Sequence, residues 1–149
     1  MTIEELNSVL TLKTQLELER AKLEDLKICA ATVVPSKLSD LPRAKTKTSP
    51  TENFAVKIVE AENQIAQLEI ELDEARASLA LKLQSELRDS PPLWRSVLAR
   101  RYCACMTFKG IGASLHFTTD YIHYLHRQAA TFVTGGQWRP RRGQRALSA

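Results

Sequence analysis

The stretch TFKGIGASLHFTTDYIHYLHRQAATFV, residues Thr107–Val133, decides the fold. Thr107 and Thr118 each stand just ahead of an apolar periodicity. Each suits a helix N-cap, where a side-chain oxygen accepts a hydrogen bond from a backbone N–H of the first turn. After Thr107, Phe108, Ile111 and Leu115 fall on one face of a short helix. His116-Phe117 reads as a turn. After Thr118 a longer helix follows, in which Ile122, Leu125, Ala129 and Phe132 make one stripe at steps of three, four and three. Asp120 suits the positive end of that helix's dipole.

Upstream, Asp89-Ser90-Pro91-Pro92 interrupts the chain. A short helix over Leu93–Tyr102 then buries Leu93, Val97, Leu98 and Tyr102 and turns Arg95, Arg100 and Arg101 outward. Cys103-Ala104-Cys105 breaks it. A helix, a short helix, a tight turn and a longer helix with polar residues near its start make the helix-turn-helix layout, whose last helix enters the major groove. The residues expected to reach base edges are Thr119, Asp120, His123 and Tyr124. Arg127, one turn later, and Arg95, Arg100, Arg101 and Lys109 are expected to hold phosphates.

The order Val97-Leu98, Arg101-Tyr102, Thr107-Phe108, Ile111-Gly112, Leu115, Thr118, Ile122, His126-Arg127 and Ala129 resembles region 4 of bacterial sigma factors. Over about residues 10–133 the chain is similar to small sigma-like proteins from prophages of Gram-positive bacteria. Those share a helical N-terminal half, a loop like Val34–Arg43, a second long helix and this C-terminal domain. The resemblance implies DNA binding of the phage late-transcription regulator kind, with RNA polymerase as a second partner. The chain departs from the pattern at Lys109 and Gly110, where acidic residues are usual, and at Gly112, usually Ala. It departs again at His116, where Gly is common, and at Tyr124, often Arg.

Residues 1–90 carry two amphipathic stretches. In the first, Val9, Leu12, Leu16, Leu23, Leu26 and Ala30 follow alternating steps of three and four, with Glu19 as a break. In the second, Ile58, Ala61, Ile65, Leu68, Leu72, Ala75 and Leu79 hold a/d spacing over three heptads until Lys82 takes the next d position. A helix from about Phe54 to Leu87 would be ~50 Å long at 1.5 Å per residue. Its stripe needs a partner, either the first helix folded back antiparallel or the same helix of a second copy. Between the two, about residues 31–53, Pro35, Pro42 and Pro50 mark a loop.

The 149 residues carry a net charge of +4, but its distribution is uneven. Residues 1–90 hold 12 basic and 16 acidic side chains, a net of −4; residues 91–149 hold 9 basic and 1 acidic, a net of +8. A basic end on an acidic stem points to a polyanionic partner for that end. The expectation is an all-α chain in three parts. Residues 1–90 form a coiled-coil-like antiparallel helical hairpin, and 91–133 a helix-turn-helix of sigma region 4 type. Residues 134–149, rich in Gly and Arg, form a disordered basic tail.

Other classes are disfavoured. No apolar run approaches a membrane span, and the Met1-Thr2-Ile3-Glu4-Glu5 start lacks the basic character of a signal peptide. Three cysteines leave no closed disulfide set, which favours a reducing cytoplasmic location, and the resemblance implies that of a bacterial host cell. Cys103, Cys105, His116, His123 and His126 invite a zinc reading, but C-x-C is not the C-x2-C spacing of common structural sites, so no metal is expected. No phosphate loop, His-Glu-x-x-His run or paired carboxylates appear. The chain therefore reads as a non-enzyme with no cofactor and no small-molecule substrate. The expected partner is double-stranded DNA, with RNA polymerase and a homodimer through the stem left open. The alternative is a coiled-coil scaffold or packaging and assembly factor that does not read DNA sequence.

Overall fold

The computed structural model describes residues 1–32 and 50–138, and all regular structure in them is helical. Helix α1 runs Ile3–Thr32 and α2 runs Pro50–Glu86. The start of α1 is a reciprocal cap. Glu5 N donates to Thr2 Oγ1 at 3.1 Å, and Thr2 N donates to Glu5 Oε2 at 2.8 Å. The expected loop is shorter than 31–53, because Ala31, Thr32 and residues 50–53 are helical. Proline opens α2, a position where its missing N–H costs nothing. The rest of the loop, with Lys37, Arg43, Lys45 and Lys47, lies outside the described residues.

Two compact units are present, Lys13–Glu71 on one hand and Met1–Leu12 with the chain from Leu72 onward on the other. The division does not fall at Pro91. Within Lys13–Glu71, Leu16 and Leu68 are buried, while Leu23, Leu26, Ala30, Ile58, Ala61 and Ile65 of the same stripes are half-buried. Two exposed ion pairs join the helices there, Arg20 to Glu69 at 2.5 Å and Lys27 to Glu62 at 3.9 Å. As residue numbers rise on α1 they fall on α2.

In the other unit most stripe positions are buried, with Leu12 and Ala75 half-buried. Leu6, Val9, Leu72, Leu79, Leu83 and Leu87 are all buried. After Leu79 the buried row takes two steps of four, to Leu83 and Leu87, and Lys82 is freed to donate to Glu5 Oε1 at 2.6 Å. That bond, with the one from Thr2, holds the Glu5 carboxyl down at about 2.

The same unit contains α3 (Pro92–Leu98), a π-helical turn (Ala99–Cys103), α4 (Phe108–Leu115) and α5 (Thr119–Val133). The break expected at Cys103-Ala104-Cys105 is a wide turn. Ala104 N donates to Ala99 O at 3.0 Å and Met106 N to Arg100 O at 2.9 Å. Helix α5 packs on both α3 and α4. Val97, Ile111, Ile122 and Leu125 form the centre of this core, with Leu93, Trp94, Met106, Phe108 and Leu115 around them.

Two details correct the sequence reading. Phe132, expected on the buried stripe, is 55 % exposed and leans on Trp94 with ring centroids 5.7 Å apart. The buried row is instead Ile122, Leu125, His126, Ala129, Ala130 and Val133. Eleven residues make almost a whole number of helical turns, so Val133 and not Phe132 falls beneath Ile122. Thr134–Trp138, expected within a disordered tail, is folded onto α5. Thr134 Oγ1 donates to Ala130 O at 2.7 Å and accepts from Trp138 N at 2.9 Å. Residues 139–149 lie outside the described part. No helix among the described residues is long and apolar enough to cross a membrane.

Candidate functional site

The site is built on the start of α5. Thr107 caps α4, its hydroxyl accepting from Gly110 N at 3.1 Å. Thr118 caps α5, accepting from Tyr121 N at 3.3 Å. Both caps stand where the sequence placed them. Between the helices lie only His116, Phe117 and Thr118. His116 ends α4 in the left-handed region, at φ 60° and ψ 38°, a conformation that Gly adopts more easily. Phe117 N then donates to Gly112 O at 3.0 Å. A Cβ on Gly112 would stand 2.8 Å from the Phe117 carbonyl oxygen, so this tight return requires the glycine.

The buried row fixes what α5 shows to solvent. At 100° per residue, the face opposite that row carries Asp120, Tyr124, Arg127, Gln128 and Thr131, and all are exposed. Of the residues expected to reach bases, Asp120 and Tyr124 are at the centre of this face. Thr119 is exposed one residue past the cap, but at 100° per residue it falls on the side of the buried row and not on this face. His123 stands apart. It is half-buried, with its ring centroid 4.1 Å from that of Phe108.

The cations also separate. Arg95, Lys109 and Arg127 are exposed and Arg100 is half-buried. Arg101 is engaged inside the domain. Its guanidinium lies 4.7 Å from the Phe108 ring centroid and donates to Met106 O at 3.0 Å, bracing the wide turn against α4. Residues 91–138 hold these five cations against one acid, Asp120.

Beneath the face is a polar network among aromatic rings. The Tyr102 hydroxyl and His126 Nε2 are 2.8 Å apart, both side chains buried. The Trp138 ring stands edge-on to the His126 ring, with centroids 5.2 Å apart. Burial, with the nearby charge of Arg101 and with His123, lowers the His126 pKa to about 4, so the ring is neutral near pH 7. Burial likewise raises the phenol of Tyr102 and the thiol of Cys103. Among the described residues no three His, Cys, Asp or Glu side chains come together as a metal site.

The sequence reading overlooked two members of the surface. Phe117, Tyr121 and Tyr124 are 40 %, 41 % and 56 % exposed. Their rings form a row, with centroids 5.1 Å apart from Phe117 to Tyr121 and 6.2 Å from Tyr121 to Tyr124. The available signal was spacing: Tyr121 and Gln128 stand three and four residues from Tyr124. Compared with known proteins, the chain matches no protein-family model, no curated protein sequence and no solved structure.

Proposed function

We propose that this protein binds double-stranded DNA through a helix-turn-helix of sigma region 4 type, α4 and α5, and acts as a phage-type transcription regulator. In this reading α5 enters the major groove. Asp120 and Tyr124 face base edges, and Arg127, Lys109 and Arg95 hold phosphates. The ion-pair order of α1 and α2 supports reading residues 1–86 as an antiparallel hairpin that serves as stem. The observation that carries the proposal is the exposed face of α5. It begins at a capped N-terminus behind a three-residue turn, and it sets one acid and one aromatic ring beside Arg127 in a segment, 91–138, that holds five cations against one acid.

The test is fluorescence anisotropy of the full chain with a labelled duplex of mixed sequence, titrated at several salt concentrations. Binding should weaken steeply with salt. Arg127→Glu and Lys109→Glu should each weaken it by about tenfold and lower the salt slope by roughly one. Arg101 is unsuitable for this purpose because it is bonded to Met106 O and packed on Phe108 within the domain. Absence of binding at low salt overturns the proposal.

A second reading, a scaffold that works by self-association, is favoured by one observation. In Lys13–Glu71, Leu18, Ile28, Val56, Val59 and Ile70 are each more than half exposed. Light scattering on the full chain tests it. An oligomer that Val59→Glu and Ile70→Glu convert to a monomer supports the scaffold, and a monomeric wild type removes it.

A further inference from the structure

We infer that the row Phe117–Tyr121–Tyr124 is a reading surface for the 5-methyl groups of thymine, so that the protein prefers A·T-containing duplexes. The inference rests on the DNA-binding reading above and adds a ligand preference to it. Apolar rings are costly to leave in water, and three in a row on one small surface mark a contact. In the major groove each base pair shows donors and acceptors, and thymine alone also shows a methyl group. An aromatic ring can bury that methyl and cannot form the bidentate hydrogen bonds by which arginine reads guanine.

Geometry and neighbours favour thymine over an unpaired base. The Tyr121 and Tyr124 rings are stacked, with planes 17° apart, and Phe117 lies tilted against Tyr121 at 57°. Faces are thus partly taken up by neighbouring rings, which leaves edges and outer faces for small apolar groups. The row is at most about 11 Å long, close to three base steps at 3.4 Å each. Gln128, one turn beyond Tyr124 and exposed, supplies the side chain that pairs with adenine N6 and N7. Arg127, exposed beside it, provides the cation that a DNA backbone requires.

Replacing thymine by uracil removes only the methyl group, and this gives a direct experiment. Affinities of the full chain are measured for an alternating dA-dT duplex and the matching dA-dU duplex at low salt. Burial of one or two methyls predicts tighter binding to the thymine duplex by about four- to fifteenfold. In Tyr124→Ser the ratio should approach one, with an unchanged salt slope and unchanged circular dichroism; Tyr124→Phe should keep the preference. Equal affinity for the two duplexes, with salt-dependent binding intact, overturns the inference and leaves DNA binding standing. Tighter binding to single-stranded oligo(dT) than to duplex also overturns it, because the rings would then be stacking on bases. No binding to any duplex removes both readings.

Discussion

In the unit made of Met1–Leu12 and the chain from Leu72, Leu6, Val9, Leu79, Leu83 and Leu87 are sealed from water; in Lys13–Glu71, Leu23, Leu26, Ile58 and Ile65 of the same two stripes keep part of their surface wet. The sequence periodicity is alike in the two. A heptad stripe specifies which face of a helix is turned inward, whereas the depth of burial is not written in the stripe. The first unit includes three more α-helices; the second consists of α1 and α2 segments held by exposed ion pairs among its described residues. The same unit holds α5, whose buried row packs against α3 and α4 and fixes which of its residues face solvent.

The comparison breaks most directly by truncating each stripe. Leu83→Ala removes a side chain that is 1 % exposed and should destabilise by about 2–5 kcal/mol. Ile65→Ala, in the half-covered stripe, should cost less than half of that, because less apolar surface is lost from burial. Urea unfolding of the two variants measures the difference. Equal costs would show that the units are buried to the same depth in solution. Hydrogen exchange gives an independent measure, with slower amides expected over 119–133 than over 55–66.

Acid should act on the unit that holds His126. The pKa of His126 is near 4 in the folded chain against an ordinary 6.5. The unfolded chain therefore takes up a proton at a higher pH than the folded one. The stability contributed is complete above 6.5 and is lost as pH falls from 6.5 towards 4, by up to about 3 kcal/mol. His126→Phe removes that slope while keeping a ring in the core. A slope that persists in the variant would assign it to other groups.

Much of this site was legible in sequence because its determinants are local. The two threonine caps, the turn and most of the α5 row each depend on residues within one or two helical turns. Phe132 was misplaced because steps of three, four and three drift off the helical period, whereas Val133, eleven residues from Ile122, keeps it. Arg101 was read as a phosphate ligand because its partners, Met106 and Phe108, lie across a wide turn that no periodicity announces. The Tyr102–His126–Trp138 network is longer in range still. The exact reach of each compact unit was hidden for a related reason. Leu79, Leu83 and Leu87 continue the α2 stripe in the same chemical terms whether one helix or several cover them.

The α4–α5 turn is a more local test of the fuller unit. Gly112→Ala places a Cβ at 2.8 Å from a backbone oxygen that cannot rotate away, so the turn must shift. A cost of about 1–3 kcal/mol is expected, as for other overpacked sites. This offsets the gain of Ala over Gly in a helix, which is at most ~1 kcal/mol. A thermal melt that rises instead would mean the return from His116 to Thr118 is looser than it stands here.

The smallest effect should come from the pair that most resembles a structural link, Arg20 and Glu69. The two approach to 2.5 Å, but their side chains are 55 % and 48 % exposed. Water screens such a pair, and holding two long side chains in one geometry opposes it through entropy. A double-mutant cycle of Arg20→Ala and Glu69→Ala should therefore give a coupling of at most about 1 kcal/mol, vanishing in high salt. If the coupling were several times larger and survived salt, the pair would have to be shielded from water in solution. A second molecule covering the wet stripe of Lys13–Glu71 would do that, and the light-scattering measurement on Val59→Glu and Ile70→Glu would then detect it.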